Sequence, residues 1–264
     1  MIIGVDMGAS AVKLCALEGD AIVFTHYEHG RGGDIPALLA RLGLDAQGAE
    51  LIALTGLSAK NSGLEALGRP VKYMPEPESI GEGACWLTGR DNLIVASIGT
   101  GTAFVHARGG EYEHLCGTGV GGGTLKGLAV KVLGVANMRE FDSLAMAGDC
   151  GRVDLLIGDF VESYGILDPE ITASNLARLN PEASREDWAA GLANLVLQII
   201  GTMSLLACTS SGAAGVAVIG ALAGTEPSRA NFAKFQRVYG KDFLIPEHSA
   251  CATAIGAARR ARCV

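Results

Sequence analysis

The chain has 264 residues, 49% of them hydrophobic and 19% charged, with 21 Lys and Arg against 28 Asp and Glu for a net charge of −7. That is enough chain for one large or two modest domains with a full core, and too apolar for a disordered protein. An acidic chain without a basic stripe excludes sequence-independent nucleic-acid binding, which depends on displacing counterions.

Residues 1–6, MIIGVD, form an apolar run ending in an acid. After MGAS, Val12, Leu14 and Ala16 alternate with Lys13, Cys15 and Leu17, so two strands joined by a glycine-bearing turn are predicted. Residues 21–27 make a third strand, followed by a glycine-rich loop and a helix over about 34–43. ELIALTG reads as a buried strand ending in a glycine turn, and PVKYMPE as a short strand running into proline-constrained backbone. A helix is expected over about 79–88. NLIVASIGTGTAFVHARGGEY then repeats the opening plan of apolar strand, small-residue turn and second strand. The repeat is an internal duplication signal and predicts two related α/β lobes, residues 1–90 and 91–264, each starting with a phosphate-sized turn.

Helices follow over about 124–133, 139–147, 151–163 and 185–210, then a strand in GVAVIG, a helix over 231–239, an edge strand in DFLIPEH and a closing helix in ATAIGAARRAR. The apolar stretch from Leu192 to Leu222 is interrupted by Gln198, Gly201 and a Ser-Ser-Gly group, so it reads as buried helix, turn and strand, and no membrane span is expected. Arg259, Arg260 and Arg262 read as the solvated end of a helix, where positive charge suits the dipole. The chain opens on an apolar strand without a basic region or cleavage site, so no secretion signal is expected. Seven scattered cysteines, an odd number without a CxxC pair, point to a reducing cytoplasm and not to a disulfide framework or zinc site.

Three turns carry candidate chemistry. In GVDMGASAVK, Asp6 ends a buried strand, Gly8 and Ser10 make a small-residue turn, and Lys13 follows. Such a turn can hold a hydrated magnesium beside backbone N–H groups that face phosphate, or it can be an ordinary β-turn with a solvated lysine. In SIGTGTAFV, Gly99, Thr100, Gly101 and Thr102 offer backbone donors and two hydroxyls with no bulk in the way. Paired with the first turn, they suit two clamps closing on one nucleotide. In HLCGTGVGGGTLKGL, Gly117, Gly119 and Gly122 have the spacing GxGxxG, yet a polar segment precedes them and more helix follows, so this is not a dinucleotide fingerprint. Lys126 lies four residues past Gly122 with no GK[ST], so it is not a Walker loop either. What remains is a run, Gly121, Gly122 and Gly123, that enters a helix N-terminus and suits an anion.

In order and wording, IGVDMGAS..VK, LTG, SIGTGT and GTGVGGGT..GL resemble the type II (eukaryotic-like) pantothenate kinases of the acetate and sugar kinase/Hsp70/actin superfamily, and the resemblance continues through LAMAGDCGRVDLLIGDFV, ITASNL, VAVIGAL and EHSACATAIGAA. It implies a two-lobed actin-like ATPase fold, related to ribonuclease H, with duplicated lobes and ATP and magnesium in the cleft. It also implies ATP-dependent phosphorylation of the primary hydroxyl of pantothenate or a close analogue, the first step of coenzyme A biosynthesis. The partner is then a small molecule, and the long helix over 185–210 serves a homodimer. By position, Asp6, Gly8, Ser10 and Lys13 match the first phosphate loop, with Asp6 toward magnesium; Ala9 stands where glycine is usual. Gly99 to Thr102 match the second loop, Gly121 to Gly123 the glycine run at the nucleotide cleft, and Gly220 the segment near adenosine. Glu76 in PEPES falls at the catalytic glutamate, with Glu78 as the acid two residues on and Pro75 and Pro77 as unusual flanks. His114 stands where the family has an active-site arginine, so His114 and Glu78 are the expected substrate contacts.

Cys116, before the glycine turn, raises a rival in the same superfamily, the ATPase activators of 2-hydroxyacyl-CoA dehydratases, in which two subunits share a [4Fe–4S] cluster. Cys150 would be its partner cysteine, although AGDCGRVD looks like the kinases' helical segment. A non-catalytic nucleotide-binding relative is the third reading.

Overall fold

In the computed structural model, residues 1–30, 34–57, 62–64, 68–161 and 168–263 are described. The opening alternation becomes an antiparallel meander of β1 (Ile2–Met7), β2 (Ala11–Glu18) and β3 (Ala21–His29). After α1 (Ile35–Arg41), β4 (Leu51–Thr55) and β5 (Val71–Tyr73) add in parallel on the free side of β1, in the order β3-β2-β1-β4-β5. Alternation splits β1 by face. Ile3, Val5 and Met7 meet Ile35, Leu38 and Leu39 of α1, whereas Ile2, Gly4 and Asp6 occupy the other face. Residues 31–33 of the expected glycine-rich loop lie outside the described residues.

α2 (Glu76–Thr88) leads into a second meander, β6 (Asn92–Ile98), β7 (Thr102–Arg108) and β8 (Glu111–Thr118). Then come α3 (Gly122–Leu133), α4 (Met138–Ala147), the short pair β9 (Leu155–Leu156) and β10 (Thr172–Ser174), and α5 (Arg185–Ser211). β11 (Gly215–Ile219), α6 (Glu226–Tyr239), β12 (Asp242–Leu244) and α7 (Ala252–Cys263) complete the chain. The second sheet has the order β12-β11-β6-β7-β8, with β11 and β12 parallel to β6. Strand for strand this is the plan of the first sheet.

Between the sheets, α2 and α7 lie against each other. Ile80 and Ala84 of α2 join Leu93, Val95, Val105, Ala217 and Ile219 of the second sheet, whereas Ala254, Ile255, Ala257, Ala258 and Ala261 of α7 join Cys15, Leu17, Leu51 and Ala53 of the first. The two helices touch through glycines. A Cβ on Gly256 would strike the Ser79 carbonyl, and one on Gly83 the carbonyl of Ala252. The outer face of the second sheet is covered by α5, whose Leu192, Val196, Leu197 and Ile200 share a core with Ile94, Ala96 and Ile98 of β6. By length and composition α5 could cross a membrane, but 56% of its most apolar window is buried inside the protein.

Three boundaries differ from expectation. α2 starts at Glu76 and not at 79, because prolines at its cap and second position suit a first turn, where the N–H they lack has no intrahelical acceptor. α6 starts at Glu226 and not at 231, capped by the Thr225 side chain. The helix expected over 151–163 does not form. Single 3-10 turns at Cys150–Arg152 and Ile157–Asp159 flank β9, and residues 162 and 163 lie outside the described residues. The cause is Asp154, which is fully buried and accepts from the Leu176 N–H at 2.7 Å and Asn194 Nδ2 at 2.7 Å. A regular helix would forgo those long-range bonds to a buried carboxylate.

Candidate active site

The inner face of β1 ends in Asp6, and antiparallel register sets Lys13 of β2 directly opposite. Lys13 Nζ donates to Asp6 Oδ2 at 3.0 Å. Asp6 is only 4% exposed, and burial raises its pKa against the opposing charge and hydrogen bond of Lys13. Among the described residues its other oxygen, Oδ1, is buried without a hydrogen-bond partner, and so is Oγ1 of Thr55, the residue paired with Asp6 in β4. Gly56, at φ +98°, follows Thr55, and a Cβ there would lie 2.7 Å from Asp6 Oδ1. A carboxylate oxygen that no protein group donates to fits a hydrated magnesium, which brings its own donors.

The two small-residue turns meet. Ser10 Oγ and Thr100 Oγ1 lie 2.8 Å apart across 90 residues of sequence. The first turn is closed by the Gly8 N–H donating to the Ala11 carbonyl at 3.0 Å, the second by the Gly99 N–H donating to the Gly101 carbonyl at 2.8 Å. Thr102 Oγ1 donates to the Val120 carbonyl at 2.8 Å, so one of the two hydroxyls expected to face phosphate instead anchors the glycine run.

That run has a different part from the one its sequence suggests. The Gly122 N–H donates to the Gly99 carbonyl and the Gly123 N–H to the Thr100 carbonyl, each at 2.9 Å. Two donors at the start of α3 are therefore taken up by protein and do not face an anion. A Cβ on Gly121 would lie 2.7 Å from the Gly101 backbone, and one on Gly123 2.7 Å from Thr100 Cγ2. The glycines let α3 dock against the second turn. Gly220, at φ +97°, donates its N–H to the Ser249 carbonyl at 2.8 Å and leaves no room for a Cβ beside Ile98, the last residue of β6 before that turn.

Glu76 is the first residue of α2 and half-buried. Burial raises its pKa, the negative charge of Asp6 raises it further, and positive charge on Lys13 and His114 pulls it down. Four predicted residues from three separate segments thus share one electrostatic neighbourhood. A carboxylate held above its ordinary range is a better proton acceptor near neutral pH.

Glu78 is not in that neighbourhood. Residues two apart on a helix point to different sides, and Glu78 accepts from Arg260 Nε of α7 at 2.9 Å, so the expected substrate contact is a contact between helices. His114 lies exposed on β8 beside a bulge, since Val105 pairs with His114 but Phe104 with Cys116, leaving Leu115 extra. Cys116 is a free, exposed thiol, and Cys150 is a half-buried one whose pKa is raised by burial and by Asp154. Among the described residues, no group of three or more His, Cys, Asp or Glu could hold a metal ion.

Sequence reasoning missed Thr55 and the arginines of α7. LTG marked the end of a strand, but the orphaned hydroxyl shows only in three dimensions. Arg259 and Arg260, read as a solvated helix end, instead pair with Glu82 at 3.0 Å and Glu78 at 2.9 Å.

The family model described as Fumble matches residues 92–257. A curated relative from Oceanobacillus iheyensis, named type II pantothenate kinase, is 28% identical over 97% of this chain and 97% of its own. Among solved structures, an activator of the 2-hydroxyisocaproyl-CoA dehydratase from Clostridium difficile with bound ADPNP superposes with a TM-score of 0.69 at 19% identity, covering 98% of this chain and 93% of that one. A ROK family glucokinase from Streptomyces griseus in complex with glucose and AMPPNP gives 0.62 at 15% identity, covering 100% and 99%. At these identities the structural likenesses show the fold alone, the duplicated two-lobed α/β arrangement.

Proposed function

Because the chain belongs to the Fumble family, we propose that it transfers the γ-phosphoryl group of ATP to the primary hydroxyl of pantothenate or a close analogue. The observation that carries this reading is the convergence of Glu76, Asp6, Lys13 and His114 where the two turns meet at Ser10 and Thr100. In the transfer, the acceptor oxygen attacks the γ-phosphorus. The new O–P bond forms as the bond to the β–γ bridging oxygen breaks, and that electron pair leaves with ADP. The hydroxyl proton passes to the Glu76 carboxylate. Little covalent work falls to the protein, so positioning and charge neutralisation dominate. Lys13 faces the phosphates, together with the turn N–H groups other than those of Gly8 and Gly99, which close the turns. Asp6 is the residue that would hold magnesium, which would supply charge neutralisation for the transferring phosphate. His114 adds positive charge near Glu76 when protonated.

The test is ADP release coupled to pantothenate phosphorylation. Wild type is expected to be active, and Glu76→Gln to lose turnover while keeping ATP binding. A wild type that binds ATP yet phosphorylates neither pantothenate nor pantetheine overturns the reading. The exposed Cys116 keeps the activator reading open to one direct check. Protein purified anaerobically is expected to be colourless, whereas an activator would be brown and would lose its colour in Cys116→Ser. A homodimer and a cytoplasmic setting belong to the same proposal. Leu206, a large apolar residue 66% exposed on α5, and free thiols throughout the described residues support them.

A further inference from the structure

Glu76 stands at a vulnerable place. The start of α2 has no side-chain cap, and the first residue of a helix is where fraying begins. Within the helix, Ser79 Oγ donates to the Pro75 carbonyl at 3.0 Å. Further polar restraints come from outside it. Arg260 Nε donates to Glu78 Oε2 at 2.9 Å, one turn or less from Glu76. Further along, Glu82 accepts from the Tyr112 hydroxyl at 2.6 Å and from Arg259 Nε at 3.0 Å, and the Arg259 guanidinium lies 4.5 Å from the centre of the Trp86 ring.

Arg260 occupies the centre of this set. It is carried by α7, which packs on the sheet holding Asp6 and Lys13. Its guanidinium carbon lies 5.5 Å from the centre of the Tyr112 ring, and Tyr112 shares a strand with His114 two residues on. Strand alternation puts Tyr112 and His114 on one face, and the Tyr112 ring leaves no room for a Cβ on Gly81 of α2. One guanidinium therefore touches α2 and β8, the elements carrying Glu76 and His114, from the helix seated under Asp6. As a half-buried ion pair with both partners still partly solvated, it would add only modestly to stability. Its geometry matters more. A planar fork that bonds a carboxylate through its edge while lying over a ring fixes direction in a way that an ammonium does not.

We infer that Arg260 is a positioning residue for the transfer, acting through Glu78 to fix the start of α2 so that the Glu76 carboxylate meets the acceptor hydroxyl. This rests on the kinase reading above. The experiment compares wild type with Arg260→Ala, Arg260→Lys, Glu78→Gln, the singles Glu78→Arg and Arg260→Glu and the exchange that combines those two, measuring kcat, KM for ATP and pantothenate, and Tm. A displacement of about 1 Å at a reacting group costs up to about 100-fold in rate. Arg260→Ala and Glu78→Gln are therefore expected to lower kcat by about 10- to 100-fold while KM for ATP stays within about two-fold. Arg260→Lys recovers part of the loss, and the exchanged pair recovers more than either of its single changes. Folded Arg260→Ala and Glu78→Gln proteins with wild-type kcat overturn the inference, as does an exchange no better than its singles. If Arg260→Ala does not fold, Glu78→Gln decides alone. An inactive wild type overturns the kinase reading and this inference with it; an active wild type with an indifferent Arg260 overturns only the inference.

Discussion

The two sheets have one topology and different chemistry. One pair in from the turn, the first sheet sets Asp6 opposite Lys13, whereas the second sets Ser97 opposite Ala103. Both pairs lie on the inner face, since Leu93 and Val95, the residues alternating with Ile94 and Ala96, pack on α2. The duplication thus supplies a symmetric frame, and a single cross-strand pair breaks the symmetry. The charged turn is left with an unpartnered carboxylate oxygen, while the neutral turn gives two of its carbonyls to the glycine run. One lobe carries charge and the other fixes shape.

The strongest way to break the comparison is to remove the base between the two turns. Glu76→Gln is expected to lower kcat by about 100- to 10,000-fold. In wild type, kcat/KM should fall on the acid side with a midpoint above the ordinary glutamate value of 4.5, because protonated Glu76 cannot accept the hydroxyl proton. A midpoint at or below that value would count against the assignment. Next in size, Asp6→Asn is expected to cost about 10- to 1,000-fold in kcat and to raise the magnesium concentration needed for half-maximal rate. Its counterpart Ser97→Ala should stay within about two-fold, as expected of a change remote from the reacting charge. Equal effects at the two positions would erase the proposed asymmetry.

Cutting the bridge between the turns is smaller. Ser10→Ala or Thr100→Ala removes one hydroxyl bond, about 1 kcal/mol, and should raise KM for ATP by about two- to six-fold in steady-state assays. The smallest effect lies in the helices over the second sheet. Asp142 of α4 has its pKa raised to about 6 by burial and by the Glu226 charge of α6. The folded state holds that proton more tightly than the unfolded one. The stability this contributes is complete below the ordinary aspartate value of 3.8 and is lost as pH rises through about 6. Asp142→Asn should therefore raise Tm by about 1–3 °C at pH 7.5 and leave it unchanged at pH 3.5, as read by thermal unfolding.

Much of the frame was legible in the sequence because strand alternation is local. Val12, Leu14 and Ala16, and later the run Leu93 to Ile98, carried both meanders and their repetition. The turns were legible from their small residues, and Glu76 through resemblance and not through any pattern of its own. What could not be read depends on partners far along the chain. Asp154 bends its segment to reach Asn194, and no periodicity over 151–163 contains that bond. The N–H groups of Gly122 and Gly123 look free for an anion until β6 brings two carbonyls to them. Glu78 looked like a second site acid because spacing along a helix says which side a residue takes only once the helix start is known. Arg260 sits in a run whose composition suits a solvated helix end equally well.

The seating of α7 has a consequence for how the protein is made. The inner face of the first sheet, with Cys15, Leu17 and Ala53, is covered by residues from the far end of the chain. During synthesis the amino-terminal strands emerge first and must wait, with that apolar face bare, until the last helix leaves the ribosome. The first lobe is therefore not a self-sufficient folding unit. Truncation just before Ala252 strips the floor from beneath Asp6 and exposes an aggregation-prone surface, and does so without touching any residue of the charged turn.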